Sequence, residues 1–170
     1  RNPGRIPFIE DVEPSMDSDP SKPTSQSGAC SSLARATGSD PIDHEQAATL
    51  VISLCEKTMA AHEKGRAYGG LSPHNVMIDE NLDLTITLEP TSGPLAAIDD
   101  SNRDYIAPEL LSGKDCDPRC DVYSAGRILY RLLTGTTPRG ETLPPPSASR
   151  KSPLVLDTLI KNACNPDPAA

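Results

Sequence analysis

A mainly α-helical domain with one small β-hairpin is what this sequence predicts, on three observations. Apolar residues recur at helical intervals over 43–65, 121–133 and 152–165. A short stretch, 76–88, has the alternation of paired strands, and Pro, Gly and Ser crowd the intervals between. The 170 residues allow one ordinary domain and much irregular chain, since 18 are Pro, 11 are Gly, and the aromatics are four Tyr and one Phe.

In chain order, Ile6-Pro7-Phe8-Ile9-Glu10-Asp11-Val12 is apolar enough for a strand. Residues 13–41, rich in Pro, Ser, Asp and Gly, show no periodicity and bury too little apolar surface to offset ordering entropy, so most of this stretch reads as a mobile loop. Asp43 and Gln46 have capping-box spacing. Ala47, Leu50, Val51, Leu54, Thr58 and Ala61 then mark one helix face up to Gly65, about six turns at 3.6 residues each. After a Gly-Gly loop, Val76-Met77-Ile78 and Leu82-Leu84-Ile86-Leu88 flank Asp79-Glu80-Asn81 as a hairpin, and the pattern breaks at Pro90.

Val122, Ala125, Ile128, Leu129, Leu132 and Leu133 make the helix from Asp121 the most apolar and the one expected at the centre; it stops at Gly135. Ser152 and Pro153 open a last helix through Leu156, Leu159, Ile160 and Ala163, ended by Asn165-Pro166. Pro144-Pro145-Pro146 between them reads as an extended spacer, with a ligand for a proline-reading domain as the other reading.

With 16 Lys+Arg against 24 Asp+Glu, a net charge of -8 disfavours nucleic acid as a partner, because phosphate binding needs clustered cations. No apolar run approaches the roughly 18 to 20 residues that span a bilayer, and Arg1-Asn2-Pro3-Gly4 is not a signal peptide. A soluble, cytoplasmic piece is expected, and a start at Arg1 fits part of a longer polypeptide. Five cysteines (Cys30, Cys55, Cys116, Cys120, Cys164) form an odd set without CxxC units and read as reduced thiols. Cys116 and Cys120 with His62 or His74 are candidate zinc ligands by type, but zinc-finger spacing is absent and no metal is expected.

The string AHEKGRAYGGLSPHNVMID at 61–79 resembles the catalytic-loop region of eukaryotic-type serine/threonine protein kinases, including the bacterial ones. His62, Gly65, Leu71, Pro73 and Asn75 fall in the family's places. DYIAPELLSG at 104–113 resembles its Ala-Pro-Glu segment through Ala107, Pro108 and Glu109, and DVYSAGRILYRLLTG at 121–135 its central helix. LIKNACNPDPAA resembles the helix and Asp-Pro turn that follow, and PFIEDVEP at 7–14 the hinge between the two lobes. The resemblance implies a C-terminal lobe without the N-terminal lobe: a hinge-like strand over 1–12, a mobile loop over 13–42 and the lobe over 43–170.

It also implies a site stripped of its chemistry. Kinases place a base Asp in His-Arg-Asp and magnesium ligands at an Asn and at the Asp of Asp-Phe-Gly. Here Tyr68-Gly69-Gly70 stand at His-Arg-Asp, Ser72 at the phosphate-steadying Lys, and Leu88-Glu89-Pro90 at Asp-Phe-Gly. Asn102 replaces a Thr that binds the catalytic Asp and Lys, and Gly69 removes the Arg that grips a phosphorylated activation loop. Tyr68 keeps the place of the family His, Leu71 faces the core, and Asp121 is expected to accept backbone N–H groups of the loop.

Asn75, Met77, Leu88 and Glu89 are then the vestige of a nucleotide and metal site. Asn75 is expected to bond the loop backbone, His74 to be a solvated loop residue, and Asp99 and Asp100 exposed charges. A one-residue bulge would carry the Glu89 carboxylate to the metal position. Glu109 has a family partner, an Arg just past Ala170, so within these residues it is expected to be unpaired.

The resulting expectation is a pseudokinase-like scaffold that binds a protein partner and needs no cofactor, with the apolar residues Val76, Met77 and Ile78 as a candidate partner surface. The enzymatic alternative is a divergent ATP- and magnesium-dependent phosphotransferase using Glu89 and Asn75, its small lobe supplied elsewhere. A decayed remnant without a partner is the third.

Overall fold

The computed structural model of the protein describes residues 30–95, 98–149 and 152–165. The expected strand at 6–12, the hinge-like 7–14, most of the loop at 13–41 and the Asp-Pro turn at 166–168 lie outside the described residues. The first described elements lie inside the stretch read as a loop. Ser31–Ser32 form strand β1 and Leu33–Thr37 a short helix, α1, whose N-cap Ser32 accepts the Arg35 amide at 3.4 Å. Burial of Leu33 and Ala36 and pairing of β1 with a strand distant in sequence provide what the local composition does not announce.

Helix α2 spans His44–His62, with Asp43 as N-cap accepting the Glu45 amide at 2.9 Å. The reciprocal half of the expected capping box is missing: Gln46 Oε1 is buried without a hydrogen-bond partner. Ala47, Leu50, Leu54, Thr58 and Ala61 form the buried face, as the periodicity indicates.

Strands β2 (Val76–Ile78) and β3 (Leu84–Ile86) pair antiparallel, Val76 opposite Ile86 and Ile78 opposite Leu84. With β1 on the other side of β2, the hairpin is part of a three-stranded sheet. Asp79 Oδ1 accepts the amides of Asn81 (2.8 Å) and Asp83 (2.9 Å), closing an Asx-type turn. Leu82, expected on the second arm, instead sits in that turn at φ 66° and is exposed.

A 3₁₀ turn at Arg103–Tyr105 leads to the short helix α3, Pro108–Leu111. Helix α4 covers Pro118–Thr134 and starts three residues before the apolar pattern. Asp117 caps it through the Arg119 amide at 2.8 Å, and Pro118, which needs no donor there, fills the first position. Ala125, Ile128, Leu129, Leu132 and Leu133 are buried between α2 and the last helix, but Val122 is half exposed.

Pro145 has polyproline-like angles, and Pro146–Ala148 form a 3₁₀ turn. Ser147 donates from both N and Oγ to the Asp157 carboxylate, fixing this loop to helix α5, Leu154–Ala163. Pro153 is the N-cap of α5 and not its first residue, and Leu159, expected on the buried face, is exposed beside Leu154 and Val155. Close approach of α4 and α5 depends on Gly126: a Cβ there would lie 2.7 Å from Ala163 Cβ and 3.0 Å from Cys164 Sγ. No helix among the described residues is long and apolar enough to cross a membrane.

Candidate functional site

Asp121 lies in the first turn and a half of α4 and is buried. Its Oδ2 accepts the Tyr68 amide at 3.0 Å and its Oδ1 the Gly69 amide at 2.8 Å, while His62 Nε2, from the last turn of α2, lies 2.8 Å from Oδ2. A carboxylate removed from water needs such donors, and these fix the start of the loop 68–75 against the two longest helices.

Gly69 turns the chain there at φ 66°, and a Cβ would collide with Cys116 Sγ. The position therefore admits glycine on two counts, backbone sterics and space. Gly70 is different: its Cβ would meet Leu88 Cδ1 at 3.6 Å and Tyr68 O at 4.0 Å, ordinary contacts.

The rest of the loop satisfies itself. Asn75 Oδ1 accepts the Ser72 amide at 2.9 Å and Nδ2 donates to Gly70 O at 2.7 Å, while Thr87 donates from N and Oγ1 to Asn75 O. Ser72 Oγ donates to Asn102 Oδ1 at 2.6 Å and accepts the His74 amide at 3.2 Å. Both loop side chains are buried, so these bonds carry a real desolvation cost if broken.

Over the loop lies a cavity of about 340 Å³. Leu88, Leu95, Ile98 and Ile106 give it an apolar lining; Asn75, Asn102, Glu89 and Asp99 supply the polar groups, and Tyr68 and Gly70 the floor. Asp99 accepts the Ser101 amide at 3.2 Å and its hydroxyl at 2.9 Å, and these bonds hold its carboxyl below the usual range. A second cavity, about 480 Å³, lies between Pro144–Pro146 and α5, away from the loop.

Sequence reasoning singled out Tyr68, Gly70, Asn75, Leu88 and Glu89, and these share the cavity; Met77 pairs within the sheet and does not line it. Val76 and Ile78 are fully buried, so the apolar surface expected over 76–78 is not there. Their side chains alternate inward from a central strand, and the exposed apolar residues lie elsewhere, Leu154, Val155 and Leu159 on α5 among them. The walls from Leu95, Ile98 and Ile106 were missed, as was Asp99 as a lining residue; a loop of mixed polarity has no periodicity to reveal which residues turn inward.

Glu109, on α3, is half-buried, and the Cys120 thiol donates to its Oε1 at 3.6 Å. No ion pair to it is present among the described residues. The zinc candidates do not converge: His62 is held on Asp121 and the Cys120 thiol on Glu109. Among the described residues no group of three or more His, Cys, Asp or Glu is placed to hold a metal ion.

The protein kinase domain family matches residues 25–149. The chain belongs to that family. A probable serine/threonine-protein kinase of Corynebacterium efficiens is 34% identical over 110 residues, 58% of this chain and 16% of the relative. The serine/threonine-protein kinase PknB of Mycobacterium leprae is 27% identical over 150 residues, 75% of this chain and 24% of the relative. The mouse serine/threonine-protein kinase DCLK3 is 32% identical over 100 residues, 55% of this chain and 13% of the relative. The chain thus spans a quarter or less of the length of these kinases.

Proposed function

We propose that this kinase-family chain is a binding or regulatory scaffold and not a phosphoryl-transfer enzyme. The reading rests on the correspondence of Tyr68-Gly69-Gly70 with His-Arg-Asp and of Leu88 with the metal Asp. The observation that carries it is the contact between these positions: Leu88 Cδ1 lies 3.6 Å from the point where a side chain on Gly70 would begin. Where the family sets a base opposite a metal ligand, a methyl group faces a backbone hydrogen. Asn75 and Ser72 spend their polar atoms on the loop and on Asn102.

Phosphoryl transfer asks the protein for little beyond positioning and charge, so loss of the base (about 10²–10⁴ in rate) together with the metal carboxylate leaves little rate acceleration. A protein is the partner class this reading implies, with neither ATP nor magnesium required.

Glu89 supports a second reading, since it lines the same cavity as Asn75. A divergent ATP- and magnesium-dependent kinase using those two groups, with a small lobe supplied elsewhere, is distinguished by thermal unfolding of the intact protein over millimolar ATP with and without magnesium. The scaffold reading expects no magnesium-dependent shift. A shift that disappears in Glu89→Ala supports the enzyme.

A further inference from the structure

Helix α2 turns one face to the core through Ala47, Leu50, Leu54, Thr58 and Ala61. A second row of apolar side chains lies outside that face. Ile52 is 60% exposed and Met59 55%, Cys55 is exposed between them, and half-buried Ala48 precedes Ile52 by one turn. At about 100° per residue these four fall within roughly 60° of the helix surface and run for about three turns. Their alternation of four- and three-residue steps is the spacing of a seam that accepts one further helix. Scattered exposed apolar residues are ordinary on a protein surface, but a continuous row along one helix is the mark of a contact.

Charge decides which helix fits. Glu45, Glu56 and Glu63 are exposed and follow one margin of the row, about 20–40° beyond Ile52 on the same count. None of the three is in an ion pair among the described residues, and the one lysine of α2, Lys57, lies a further ~100° round the helix. A second copy of this chain does not supply the complement. Two α2 helices packed antiparallel about a twofold axis bring the same margin of each together, Glu against Glu. Packed parallel, they set that margin against the other one, where Val51, His44 and His62 stand and both imidazoles already lie beside carboxylates. Each chain also carries a net charge of -8.

We propose that this face of α2 is a docking surface for a basic amphipathic helix of another protein. The apolar row of that helix seats on Ala48, Ile52, Cys55 and Met59, and its Lys or Arg residues run along Glu45, Glu56 and Glu63. The row supplies most of the affinity, while the charged margin selects the partner and speeds encounter. No residue of α2 lines the cavity over the loop, so docking here does not depend on whether that cavity transfers phosphate.

The test uses three fluorescein-labelled synthetic helices of about three heptads each. One has Leu along the seam and Lys along one margin, the second has Glu in place of Lys, and the third scrambles the first so that no apolar row forms. Fluorescence anisotropy with the intact protein in about 0.15 M salt should show the basic helix binding about tenfold or more tightly than either of the others. Ile52→Glu combined with Met59→Glu should weaken the basic helix about tenfold or more, although the added carboxylates would tighten an attraction that was only electrostatic. Glu56→Lys combined with Glu63→Lys should reverse the order of the Lys and Glu helices. Both double variants change exposed positions only, and their unfolding midpoints should stay with the parent's. The basic helix binding no better than its scrambled form, binding that persists or tightens in the Ile52/Met59 variant, or an unchanged order in the Glu56/Glu63 variant overturns the proposal. A dimer in sedimentation that the Ile52/Met59 variant dissolves also overturns it, because the occupant is then a second copy.

Discussion

On its inner side the loop 68–75 rests on Asp121, a buried charge supplied with two backbone amides and an imidazole. On its outer side, facing the cavity, Gly70, Leu88, Leu95 and Ile98 dominate, and the amides of Asn75 and Asn102 are bonded internally. The difference teaches what each kind of group is for. A buried carboxylate persists where it holds backbone in a conformation the chain would not otherwise adopt, and such a role places no demand on the other face. A fold of this family can therefore keep its loop in place while the cavity above it changes chemistry.

The sharpest way to break this comparison is at Asp121. Asp121→Ala strands the Tyr68 and Gly69 amides and should lower the unfolding free energy by about 3–5 kcal/mol, the range for removing one partner from a buried charged set. A loss under ~1 kcal/mol in urea unfolding removes Asp121 from its anchoring role.

The adjacent glycines give the next test. Gly69→Ala forces a side chain into left-handed backbone, about 1–2 kcal/mol, and against the Cys116 sulfur, about another 1–3 kcal/mol. Gly70→Ala should stay within about 0.5 kcal/mol of the parent, because its Cβ meets only ordinary contacts. Equal losses at the two positions would erase the distinction between the inner and outer sides.

Asn75→Ala removes the partners of the Ser72 amide and the Gly70 carbonyl and should cost about 1–3 kcal/mol by thermal or urea unfolding, with no change in any nucleotide response. A smaller loss is expected away from the loop. Asp117→Ala removes the cap of α4, about 1 kcal/mol. The Arg119 side chain and amide hold the Asp117 carboxyl below its ordinary value. A depressed folded-state value means this contribution is present above about pH 4, the unfolded value, and fades as pH falls through the lower folded one. The difference between parent and Asp117→Ala should accordingly narrow in acid.

Much of this frame was legible in the sequence, because long periodic segments state their own geometry. The apolar rows of α2 and α4 and the 76–86 hairpin needed no tertiary information. Features set by distant contacts were illegible. β1 exists because Met77 and Ile78 offer a strand edge to Ser31 and Ser32, and α1 because Leu33 finds the core. Local rules also misassigned Leu82, which the Asx turn of Asp79 takes out of the strand, and Gln46, whose capping partner went to Glu45.

At the site, the motif spacing pointed to the loop residues and to Leu88 and Glu89. Nothing in the spacing marked Leu95, Ile98 or Ile106 as walls, since that depends on how residues 91–95 and 98–106 lie over the loop. The bond between Ser72 and Asn102 is the instructive intermediate case: each was noticed as a departure from the family, and together they form a short hydrogen bond across thirty residues.

The central claim is tested most directly by incubating the intact protein with magnesium and ATP labelled on its γ-phosphoryl group, alongside a generic protein acceptor. The account predicts no label on the protein or on the acceptor above a heat-denatured control. Label that is incorporated, and that disappears when Glu89 is changed to Ala, would contradict it.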